Sequence, residues 1–223
     1  IVAKVVFPVF SKIREDADAL SRGFLQTARY VSLVTVPIGL GIALLSRPFI
    51  LVVFGQKWIE AAPVMSCIAI YGVMLSLGFN AGDVYKAQGR PGILTRISIV
   101  QLCVLLPALY WAVTVMRSLV SVGLVQVGVA TLGSVINLVV AVRLLHLTPG
   151  RMLEAFRPAI LAGAALLVAV GAVLLLTRGA ISLVPLIAGT LAGGAAYAGW
   201  LWFVDRSTGA ELLQLARMVL RRS

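Results

Sequence analysis

Few side chains in this sequence are placed to do chemistry. Eight acidic residues and one histidine stand against 19 lysines and arginines, for a net charge of +11. The acids are Glu15, Asp16, Asp18, Glu60, Asp83, Glu154, Asp205 and Glu211. Only Asp83 falls inside a long apolar run, so no pair of carboxylates is placed there for general acid–base work. His146 sits between Arg143 and Arg151 at the end of such a run, the setting of a hydrated interfacial residue. There is no Ser/His/Asp arrangement, no metal-ligand cluster and no phosphate-cradling Walker loop. Cys67 and Cys103 lie in different apolar runs without CxxC spacing and read as small buried hydrophobes. The residues make no case for an enzyme, a cofactor, a metal site or ATP binding.

What remains is a short set of polar groups in apolar surroundings. Lys4 is an ionisable residue in the apolar run before Pro8. A charge at membrane depth is costly enough to be a functional hypothesis, but a lysine this close to a helix end can also snorkel to the interface. Asn80 and Asp83 stand near the end of a second run, followed by Tyr85, Lys86 and Gln88. Asp83 either pairs with Lys86 or Arg96 as a structural lock or takes a proton or ion. Arg96 opens the third run and either faces a cavity or anchors at the interface. Gln101, Gln126 and Asn137 are mid-run amides of the kind that hydrogen-bond between helices.

The elements that position these groups are set by the apolar runs themselves. Six segments, Tyr30–Val53, Ala62–Val84, Ile93–Val115, Leu119–Leu145, Pro158–Leu176 and Leu183–Val204, fill most of the 223 residues. A spanning helix takes about 20 mostly apolar residues, and a hydrophobic fraction of 61% leaves no room for a water-soluble domain. The expected fold is all-α: a polytopic transmembrane helical bundle of six complete spans. The apolar stretch Ile1–Phe10 reads as the tail of a seventh helix, which makes the chain the C-terminal part of a longer, two-lobed transporter-like protein. Residues 1–209 form the membrane domain. Within 210–223, Leu212, Leu215, Ala216 and Val219 share one helical face among Arg217, Arg221 and Arg222, as in a basic amphipathic tail at a lipid surface.

The charges give the orientation. Loops on one side carry 14 of the 19 basic residues, including Lys12, Arg22, Lys86, Arg90, Arg143 and Arg151; the other side carries only Arg47, Lys57, Arg117 and Arg178. Cytoplasmic loops collect lysine and arginine, so the loop Ser11–Arg29 and the C-terminus are cytoplasmic. The turns near Gly55–Glu60, Met116–Ser118 and Thr177–Ser182 face outward. The same rule accounts for the positive charge without nucleic acid. Tyr30, Trp58, Trp200 and Trp202 fall near the interfaces, where amphipathic rings settle. Pro37, Pro107 and Pro185 lie within or near the start of spans, where proline frees a carbonyl and allows a bend. Gly189 and Gly193 form a GxxxG, continued by Ala195 and Gly199, that suits close packing within the molecule.

The order of motifs carries a family resemblance. Val6-Phe7-Pro8-Val9-Phe10-Ser11-Lys12 is similar to the "LFPxxSR" helix end of polysaccharide flippases. After it come a proline-containing span with Pro37-Ile38-Gly39-Leu40 and an outer turn, Phe54-Gly55-Gln56-Lys57-Trp58-Ile59-Glu60-Ala61-Ala62-Pro63, like "FGxxWxxAAP". Ala87-Gln88-Gly89-Arg90-Pro91 is like the "AxGRP" cytoplasmic turn. Over residues 5–91 the chain resembles the Wzx-type polysaccharide transporters of the multidrug/oligosaccharidyl-lipid/polysaccharide exporter superfamily.

The resemblance implies a bacterial inner-membrane flippase for a polyprenyl-diphosphate-linked oligosaccharide. Its partners would be that substrate, membrane lipids and an N-terminal half of the same protein. It implies two lobes around a cationic cavity opened alternately to each side. Within that frame Lys4, Arg96 and Asn80 are the candidates for substrate contact and Asp83 for ion coupling. A drug/cation antiporter of the same superfamily would need a buried carboxylate, for which Asp83 is the candidate. A lipid II flippase is a variant of the first reading. A membrane-embedded polymerase or acyltransferase would need a large outer loop or paired catalytic residues, and the sequence has neither.

Overall fold

The computed structural model describes residues 16–203, and every described regular element is helical. The helices are α1 (Ala17–Val53), α2 (Ala61–Ala87), α3 (Gly92–Trp111), α4 (Leu119–Leu144), α5 (Pro149–Leu176) and α6 (Leu183–Phe203). A 3-10 turn, Gln56–Trp58, joins α1 to α2, and a π-helical turn, Ala112–Met116, extends α3. Among the described residues, six helices are long and apolar enough to cross a membrane, which matches the six runs read from the sequence.

α1 is the centre of the molecule: it packs against α2, α5 and α6. α2 packs in turn on α4, α5 on α6, and α3 leans on α4 alone for most of its length. Ile97 is the single buried residue of α3. Side-to-side order therefore runs α3, α4, α2, α1, then the α5–α6 pair.

The stretch Ser11–Arg29, expected to be a loop, is helix from Ala17 onward. Asp16 caps it by accepting a 2.9 Å hydrogen bond from the Ala19 N–H. Leu20, Phe24 and Ala28, spaced four apart, are buried on one face, while Arg22 and Gln26 are exposed. Charges on the outer face hid this helical start from a reading based on unbroken apolar length. At 37 residues α1 is about 55 Å long, well beyond the roughly 30 Å hydrocarbon layer. α5 likewise starts at Pro149 rather than Pro158, with Met152 and Ala155 buried in its first turns. These two extensions meet at the basic end. Leu20, Phe24, Ala81, Tyr85, Leu145 and Met152 belong to one apolar core there.

The turn motifs have plain conformational causes. The Gly89 N–H donates to the Lys86 carbonyl and the Arg90 N–H to the Tyr85 carbonyl, which closes a Schellman cap on α2. Gly89 takes φ 69° and Gly55 φ 84°, left-handed values that glycine adopts without a Cβ penalty. Pro91 follows directly and stops α2 from continuing.

Pro37 does not break α1, which runs unbroken through it. A proline at 37 has no N–H for the carbonyl of Leu33, four residues earlier. That carbonyl instead accepts a 2.7 Å hydrogen bond from the Tyr197 hydroxyl of α6. Gly189 and Gly193 pack within the molecule as expected: a Cβ on Gly189 would stand 2.7 Å from Leu45, and one on Gly193 2.6 Å from Val170. The small-residue face ends there, because Ala195 is exposed and Gly199 has open space beside it.

Candidate functional site

Several described polar side chains are shared between helices along the α1–α2 contact. Toward the end opposite the basic loops, Ser46 and Ser66 hydroxyls lie 2.7 Å apart, and Ser66 also donates to the Ala43 carbonyl at 2.8 Å. Midway, Ser76 donates to the Thr35 hydroxyl at 2.9 Å, while Gly39 lets Val73 press directly on the α1 backbone. These contacts fix an antiparallel register. Continued toward the basic end, it brings Asn80 to the level of Ser32 and Asp83 to the level of Ala28 and Arg29.

Asn80 and Asp83 are 2% and 4% exposed, and Ser32 is fully buried. Asp83 Oδ1 is 3.3 Å from Lys86 Nζ, whose side chain remains half exposed. Of the two lock partners weighed for Asp83, the structure therefore brings Lys86 to it. Arg96 is exposed one turn into α3. Asp83 Oδ2 and Asn80 Nδ2 make no hydrogen bond. Asp83 Oδ2 is thus a buried acceptor that can take a proton, three residues from a buried amide donor and with a cation at the rim.

α2 and α4 are joined through main-chain carbonyls. The buried Tyr85 hydroxyl donates to the Asn137 carbonyl at 2.8 Å, and Ser134 donates to the Met74 carbonyl. Asn137 Nδ2 bonds back to Gly133 in its own helix, so the mid-span amide does not serve as the expected interhelical bridge. Gln101 instead reaches from α3 onto Gly133 and packs there.

Thus the sequence singled out Asn80 and Asp83, which the fold buries together, and Arg96, which it leaves outside that cluster. Lys4 and the tail 210–223 lie outside the described residues. Tyr85, Tyr197 and the serine–threonine contacts gave no signal beyond being polar residues in apolar runs. Pro37 did announce a freed carbonyl at Leu33, but nothing along the chain names the side chain that fills it.

Comparison with known proteins gives matches over part of the chain. A family model described as "Polysaccharide biosynthesis protein" matches residues 1–63. The teichuronic acid biosynthesis protein TuaB of Bacillus subtilis (strain 168) is 37% identical over 90 residues, 40% of this chain and 19% of that protein. The lipopolysaccharide biosynthesis protein WzxC of Escherichia coli (strain K12) is 29% identical over 109 residues, 49% of this chain and 22% of that protein. The chain resembles the Wzx-type polysaccharide transporters. An uncharacterized membrane protein in the cps region of Klebsiella pneumoniae is 28% identical over 112 residues, half of this chain and 23% of that protein. The matched stretch thus spans about a fifth of the length of each of these relatives. No solved structure matches the chain.

Proposed function

We propose that this chain is part of an inner-membrane flippase, a transporter rather than an enzyme. Its cargo would be a polyprenyl-diphosphate-linked oligosaccharide destined for exopolysaccharide, lipopolysaccharide O-antigen or capsule. The observation that carries this reading is the similarity to WzxC and TuaB, joined to six helices of bilayer length. Moving a sugar–diphosphate head group through hydrocarbon unaided is prohibitive. A wet cationic cavity, opened alternately to each face by rocking lobes, removes that barrier while the lipid tail stays in the bilayer. In this reading Lys4, Arg96 and Asn80 contact the cargo, and Asp83 couples transport to an ion. The basic loops and the C-terminus are cytoplasmic, following the excess of lysine and arginine on that side.

The deciding experiment uses a strain lacking the full-length gene. Complete lipid-linked oligosaccharides are expected to accumulate on the cytoplasmic face, with surface polysaccharide lost. Normal distribution in a strain without a second flippase would sink the reading. In the intact protein, Lys4→Ala should lower export at unchanged protein level, and wild-type export would remove Lys4 from the path. A cysteine replacing Trp58 should react with an impermeant thiol reagent from outside, and one replacing Arg90 should not; the reverse would overturn the topology.

A drug/cation antiporter of the same superfamily is the second reading, favoured by the unpartnered Oδ2 of the buried Asp83. Proton- or sodium-driven efflux of an organic cation, lost in Asp83→Asn, would select it. A lipid II flippase would show itself by the identity of the accumulated lipid.

A further inference from the structure

We propose that Tyr197 is a latch on a hinge in the α1–α2 hairpin. Its hydroxyl holds the Leu33 carbonyl that Pro37 leaves without a partner, and its release lets the outer part of the hairpin, residues 38–71, lean toward α6.

Four observations carry this, independent of the cargo. The first is the bond itself, Tyr197 Oη to Leu33 O at 2.7 Å, the α1 carbonyl freed by Pro37. The second is a pair of weak points at one level of the hairpin. Pro37 and Gly41 lie on α1, and Gly72 lies nearly opposite on α2; neither glycine has a neighbour within 4 Å of a Cβ position. Proline and glycine are where helices bend. The third is that the parts on either side are tied. Above the hinge, Ser66 bonds both Ser46 and the Ala43 carbonyl, so the outer halves of α1 and α2 move as one. Below it, Leu20, Phe24 and Ala28 share a core with Ala81, Val84 and Tyr85. The fourth is room beside the hinge. An open groove of about 540 Å³ flanks α1 on the α6 side, lined among others by Pro37, Gly41, Leu45, Gly193 and Tyr197. On its other side the hairpin abuts α4, where a Cβ on Gly123 would stand 2.7 Å from Cys67, so the α6 side is the open direction once the Leu45 side chain moves off Gly189.

With the latch closed, Leu33 is satisfied and α1 keeps the course seen here. With it open, the carbonyl turns to whatever polar group the bend admits, and the groove narrows. A static cap would stabilise the protein without any second position of the hairpin.

The test places spin labels at Val52→Cys and Val184→Cys, exposed residues on the outer reaches of α1 and α6, in the full-length protein with other accessible cysteines replaced by serine. Distances are read in four backgrounds: the otherwise unaltered protein, Tyr197→Phe, Pro37→Ala, and both substitutions together. Tyr197→Phe should raise a shorter 52–184 distance population about fivefold, the factor a hydrogen bond of ordinary net strength represents. Pro37→Ala restores the backbone donor for Leu33, so the same Tyr197→Phe change should then leave the distribution unaltered. Pro37→Ala alone should lower the shorter population. An unchanged distribution in Tyr197→Phe, or an equal effect with and without Pro37, would overturn the latch.

Discussion

The two ends of α1 are held by different physics. Toward the basic end, where 37 residues outrun the bilayer, Leu20, Phe24 and Ala28 sit at 0%, 1% and 2% exposure in a core drawn from α1, α2, α3, α4 and α5. That end reaches water, so apolar burial there draws on the hydrophobic effect. Within lipid, apolar surface gains nothing by leaving the solvent, and contacts come from close fits and shared hydrogen bonds. The membrane-depth part of α1 fits this description: Gly39 against Val73, Thr35 with Ser76, Ser46 with Ser66, and Tyr197 on the Leu33 carbonyl. The apolar surface left over includes Ile38 and Ile42, which stay exposed beside the groove between α1 and α6.

The contrast predicts a ranking of substitutions. The largest loss belongs to the basic-end core. Phe24→Ala should cost about 3–5 kcal/mol, read as a shift in chemical unfolding in detergent; a cost below about 1 kcal/mol would mean that this cluster is not the stabilising core. An intermediate loss belongs to a membrane-depth close fit. A Cβ on Gly78 would lie 2.8 Å from the Ser134 Cα of α4, so Gly78→Ala must push the helices apart. It should cost roughly 1–3 kcal/mol by the same measurement. The smallest effect belongs to the lipid-facing surface. Leu106 on α3 is 58% exposed, and Leu106→Ala should stay within about 0.5 kcal/mol. A large effect there would show that α3 is covered by a partner, which would redraw the comparison.

Much of this fold is legible along the chain. The six spans follow from apolar length, and the turns at Gly55 and Gly89 follow from residues that tolerate a positive φ. The GxxxG of α6 announced a close approach and made one, although Ala195 and Gly199 fell off its face. The helical start before Tyr30 was less legible, because Arg22 and Arg29 interrupt the apolar run without interrupting the helix. The candidate site was readable in part. Asn80 and Asp83 stood out as polar residues where polarity is costly, and the fold buries both. Arg96 carried the same signal but sits on the exposed flank of the helix with least packing.

The sequence by itself determined the six helices of bilayer length among the described residues and where they turn. A backbone in hydrocarbon must satisfy its own hydrogen bonds, so each long apolar run has to be a helix. Only the tertiary structure decided which helices touch: that α1 is central, that Asp83 takes Lys86, and that Tyr197 rather than another hydroxyl serves Leu33. Helix pairing in lipid depends on steric fit and single hydrogen bonds between residues as far apart as 33 and 197. No periodicity along one chain records such a match.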